Sequence, residues 1–109
     1  MRYGIALSIL FVAAALESGG DALVRAGLHS STVTARAMFL VAGAAVLFVY
    51  GYVVNTPPWD FGRLLGVYVA LFFVVAQLIS WIAFGQRPTP AILVGGGFIL
   101  IGGYIVSRG

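Results

Sequence analysis

The chain has 109 residues, of which 61% are hydrophobic and 8% charged, with a formal net charge of +3. Soluble domains carry about a quarter charged residues, so this composition excludes a soluble globular fold and points to a membrane protein. All six basic residues are arginines placed singly along the chain, which forms no patch for nucleic acid, and the lack of cysteine leaves neither a disulfide framework nor a thiol marker of redox compartment.

The first apolar segment runs from Tyr3 to about Leu28. Its opening, MRYGIALSILFVAAALES, has the outline of a signal peptide: one arginine, an apolar stretch and small residues. We read it as a membrane span, since a helix needs roughly 20 mostly apolar residues to cross a bilayer. Two of the chain's three acids, Glu17 and Asp21, follow fourteen uncharged residues in this segment. Glu17 falls near the bilayer centre, where an ionised side chain costs at least about 2.5–3.5 kcal/mol. Such a residue faces a bundle interior or a watery cavity and is a functional-site hypothesis by default. An acid there can hold a proton at rest and release it when a cation arrives, the minimum machinery of proton–cation exchange. The plainer alternative is a structural, hydrogen-bonded acid. Asp21 and Arg25 lie four residues apart, a helical spacing that fits an ion pair near the membrane surface.

The second segment, about Ala37 to Val54, and the third, within about residues 62–84, follow after short loops. Asp60 stands where it would cap the third helix, and Trp59 marks an interface. Gln77 and Ser80 are polar residues in this otherwise apolar third segment. The fourth, about residues 90–107, opens on Thr89-Pro90, an N-cap followed by proline at the first helical position. Its AILVGGGFILIGGYIV places Gly95/Gly102 and Gly96/Gly103 at intervals of seven, a stripe suited to a dimer seam or to packing within one subunit. Ala15/Gly19 and Gly62/Gly66 are weaker close-approach pairs. Trp81 and Tyr104 are interfacial anchors. The single histidine, His29, has no second ligand beside it, so neither a metal nor any other cofactor is expected, and no nucleophile–base pairing indicates an enzyme.

The expected fold is therefore an all-α membrane protein, one four-transmembrane-helix domain over residues 1–109, because lipid satisfies no open backbone groups. Arg2, Arg63 and Arg108 fall on one side, and Arg25, Arg36 and Arg87 on the other. Three against three gives no orientation preference by the positive-inside rule. One orientation fixed by a weaker signal and dual insertion as an antiparallel homodimer both fit.

The first-helix pattern Glu17-x-x-Gly20-x-x-x-x-Arg25 and the stretch ISWIAFGQRPTPAILVGG, residues 79–96, resemble the small multidrug resistance family of the drug/metabolite transporter superfamily. TPPWDFGRLLGVYVALFF is closer to its YnfA-like branch, where a Gly-Arg pair opens helix three. The resemblance implies an antiparallel dimer in a bacterial inner membrane, with both Glu17 carboxylates sharing a chamber that takes either protons or cationic substrate. Tyr68, thirteen residues before Trp81, matches the family's substrate-packing tryptophan. The family's Gly-x-Gly bend becomes Ala70-x-Phe72, a helix-three tyrosine becomes Leu65, and Asp21 replaces a small uncharged residue. The first expectation is thus a proton-coupled exporter of small organic cations (quaternary ammonium, guanidinium or polyamine-like). Glu17, Tyr68 and Asp21 would be its binding residues, with Gln77 or Ser80 adding a polar contact. Its partners would be membrane lipid, protons, the cation and a second copy. A non-transporting scaffold subunit, or a flippase for a lipid-linked group, are the alternatives.

Overall fold

The computed structural model describes residues 2–109. It contains four α-helices in order: α1 (Tyr3–Leu28), α2 (Val33–Val54), α3 (Phe61–Phe84) and α4 (Pro90–Arg108). All four are long and apolar enough to cross a membrane.

Capping chemistry sets most of the boundaries. The Thr32 hydroxyl accepts the Ala35 amide at 3.2 Å, so α2 starts at Val33, four residues ahead of the expected Ala37. Arg36 therefore belongs to the first turn of α2, and its guanidinium reaches back to the Ser30 carbonyl at 3.4 Å. Thr89 accepts the Ile92 amide at 3.2 Å, with Pro90 in the first turn of α4. Asp60 occupies the N-cap position of α3, yet its side chain makes no cap hydrogen bond, so the expected carboxylate cap is absent. Gly85 ends α3 with φ of 64°, a left-handed conformation that glycine adopts without a Cβ clash.

The helices form a flattened bundle of 48 × 34 × 18 Å. Among the described residues α1 packs along both α2 and α3, while the backbone of α4 approaches only α3. The spatial order is therefore α2–α1–α3–α4. Leu10, Ala13 and Ala14 of α1 join Val54 of α2 and Leu64, Val67, Tyr68 and Val75 of α3 in the buried core. Lipid supplies no hydrophobic force between helices, so these seams depend on close packing of small residues. A Cβ on Gly43 would lie 2.7 Å from Val24 Cγ2 and 3.1 Å from the Gly20 carbonyl oxygen, which locates the α1–α2 crossing.

The glycine stripe of α4 divides. A Cβ on Gly103 would meet the Ala70 side chain at 2.5 Å and one on Gly96 would meet the Phe73 ring, so these two glycines serve the α3–α4 seam within one chain. Gly95 and Gly102 meet nothing within 4 Å and stay on the outer face. Gly66 likewise seats Val106, whereas Gly19 and Gly62 face open space.

Candidate functional site

Glu17 is half-buried on α1, one turn beyond the core residues Ala13 and Ala14. The Tyr68 hydroxyl donates to its Oε1 at 2.6 Å, joining α1 to α3. The same hydroxyl lies 3.5 Å from the Ala13 carbonyl oxygen. Tyr68 is buried, and its ring continues an aromatic series: Tyr50 of α2 at 5.7 Å on one side and Phe72 of α3 at 5.9 Å on the other. The backbones of α2 and α3 do not approach closely, so Tyr50 and Tyr68 meet across one face of α1. Glu17 thus sits half-buried where α1 meets α3, held by the phenol of Tyr68, whose ring neighbours those of Tyr50 and Phe72.

This arrangement suits a cation. A carboxylate supplies charge, and ring faces within about 6 Å attract positive groups most strongly where water is scarce. The phenol donates to the acid and brings no positive charge of its own.

Asp21 follows on the same helix face, exposed at the mouth of a cleft of about 300 Å³ between α1 and α3. The cleft is lined by Ser18, Asp21, Arg25, Phe72 and Ser80 among others. The ion pair that the spacing of Asp21 and Arg25 suggests is not formed. The Arg25 guanidinium instead lies 5.5 Å from the centre of the Phe84 ring, over its face. Two further arginines do the same: Arg87 over Trp81 at 5.6 Å and Arg108 over Tyr104 at 6.0 Å. Interfacial rings, rather than carboxylates, hold these side chains.

Ser80 reaches the cleft's rim, where its hydroxyl donates to Gln86 Oε1 at 3.1 Å. Gln77 does not line the cleft; it lies one turn past Phe73, the ring that meets Gly96 on the α4 side. The structure thus brings together Glu17 and Tyr68, sets Asp21 and Ser80 in the adjoining cleft, and leaves Gln77 apart. Tyr50 is the residue that sequence reasoning misses. It is one of two tyrosines flanking Gly51 in an apolar helix, and Tyr52 turns outward, 74% exposed. A tyrosine in the last turns of an apolar helix, whose hydroxyl needs a partner where it is buried, is the available signal.

Comparison with known proteins places the chain among small bacterial membrane proteins. It is 32% identical over 101 residues to a UPF0060 membrane protein of Herpetosiphon aurantiacus, covering 90% of this chain and 89% of that one. Over 83 residues it is 41% identical to a UPF0060 membrane protein of Streptomyces avermitilis, covering 72% and 70% respectively. Over 96 residues it is 34% identical to the UPF0060 membrane protein YfjF of Bacillus subtilis, covering 86% and 85%. No family model matches the chain, and no solved structure does. With three relatives above 30% identity along most of their length, the chain belongs to the family of UPF0060 membrane proteins.

Proposed function

We propose that this protein is a proton-coupled exporter of small organic cations in the bacterial inner membrane, working by alternating access as an antiparallel homodimer. The observation that carries the reading is Glu17: a carboxylate inside a membrane span, bound by the Tyr68 hydroxyl at 2.6 Å and, among the described residues, by no basic partner. An acid so placed is costly unless it works. Glu17 holds a proton or the cation in turn, the rings of Tyr68, Tyr50 and Phe72 face the bound charge, and no covalent chemistry is involved.

The half-buried position of Glu17 supports the homodimer. One chain leaves Glu17 half-buried beside an uncovered surface, and a second, inverted copy laid over that face would enclose two acids in a shared chamber. Three arginines on each side permit both insertions. Gly95 and Gly102 remain as the dimer-packing pair, since Gly96 and Gly103 are engaged within the chain.

Reconstituted vesicles with an imposed proton gradient test this directly. Uptake of a labelled guanidinium or quaternary ammonium ion against its gradient is expected for the wild type and lost in Glu17→Gln. Gradient-independent behaviour of both would overturn the reading and favour a scaffold subunit.

A further inference from the structure

A serine inside a helix ordinarily returns its hydroxyl to the carbonyl four residues back. Two serines along α1 and its end do so: Ser8 donates to the Gly4 carbonyl at 2.9 Å, and Ser30 to that of Ala26 at 2.8 Å. Ser18 does not. It is only 5% exposed, and its Oγ has no hydrogen-bond partner among the described residues. Ser18 lines the α1–α3 cleft together with Asp21, whose expected partner Arg25 is drawn away onto Phe84. The cleft therefore holds an unpaired carboxylate and an unpaired buried hydroxyl side by side. Buried polar groups are almost always satisfied, so the Ser18 hydroxyl points to a missing donor, and the exposed Asp21 carboxylate beside it selects a donor with positive charge.

We propose that the cleft is a second cation subsite, built on Asp21 and Ser18, and that it makes linear diamines the favoured substrates; this rests on the reading of Glu17 as the first cation site. Four residues of helix separate Glu17 from Asp21, a rise of about 6 Å along one face. An extended chain with four methylenes between its amines matches that spacing. One ammonium meets Glu17 beside Tyr68, and the other meets Asp21 and donates to Ser18 Oγ. The methylenes cross the ring of Phe72, which touches Tyr68 at 5.9 Å and also lines the cleft. Arg25 closes the outer end with charge of the same sign, so a third amine gains nothing.

Titration calorimetry on the full-length protein in detergent tests this with 1,4-diaminobutane, 1,2-diaminoethane, 1-aminobutane and a triamine extending the first. In the wild type 1,4-diaminobutane is expected to bind about tenfold more tightly than 1-aminobutane, the effect of one further charge-assisted contact. The shorter diamine and the triamine should show no such gain. Asp21→Asn should bring the diamine-to-monoamine ratio close to one, and Ser18→Ala should reduce it severalfold. Should the aspartate variant not fold, the serine variant decides the same question. Monoamine binding that needs Glu17 but carries no diamine preference, or a preference untouched by either variant, would overturn the second subsite alone. Monoamine binding indifferent to Glu17→Gln, or no amine binding at all, would remove the first site and this proposal with it.

Discussion

Tyr68 donates to one oxygen of Glu17, the carboxylate proposed to take a proton or a cation in turn. Hydrogen bonds to charged groups contribute about 1.5–3 kcal/mol. Tyr68→Phe keeps the ring and loses the donor, so cation affinity at fixed pH should fall roughly tenfold, as read by ligand titration. Tyr68→Leu should weaken binding further by removing the ring face. With proton and cation competing for one carboxylate, as proposed, cation affinity should fall as pH falls in the wild type. In Glu17→Gln any residual affinity should be independent of pH. Much of this is legible in the sequence, since Glu17 is the acid that lies deepest in an otherwise uncharged run. The fate of Arg25 is not. Spacing shows a carboxylate within reach, but only three dimensions show the competing ring of Phe84.

Whole helices are legible from apolar length, and their ends from cap residues where a hydroxyl is available. Thr89 illustrates the success; Thr32 is easily overlooked because Arg36 suggests a loop that in fact belongs to α2. The glycine stripe is visible in the sequence, but its division is not, because a seven-residue interval does not say which neighbour each glycine meets. The division makes a test. Gly43→Ala places a Cβ 2.7 Å from Val24 and 3.1 Å from backbone of α1, so it should cost about 1–3 kcal/mol and lower the unfolding temperature in detergent. A Cβ on Gly95 meets nothing within 4 Å among the described residues, so Gly95→Leu projects from the outer face of α4. It should leave the unfolding temperature of the monomer unchanged while weakening self-association, measured by sedimentation or cross-linking. Unaltered association would move the dimer seam away from α4.

As a bundle, four helices at a thickness of 18 Å cannot enclose a polar path. The half-buried acid and the α1–α3 cleft reach the surface of the flattened bundle, and the even arginine count permits the proposed pairing of two inverted copies. Adding two arginines to the α2–α3 loop should fix one orientation by the positive-inside rule. Transport should then vanish for that variant expressed alone. It should return when it is co-expressed with a variant fixed the other way by arginines in the α1–α2 loop. Full activity from either variant alone would rule out the antiparallel pairing. Composition makes the four spans plain, but the spatial order α2–α1–α3–α4 is not readable, because apolar faces toward lipid and toward protein look alike in sequence.

Everything proposed for this protein depends on Glu17 exchanging a proton for a cation. Weakly buffered, detergent-purified protein should release protons near neutral pH when guanidinium, quaternary ammonium or diamine compounds are added, and Glu17→Gln should release none. Absence of release from folded wild-type protein across all three classes, or equal release from the variant, would show that Glu17 performs no such exchange.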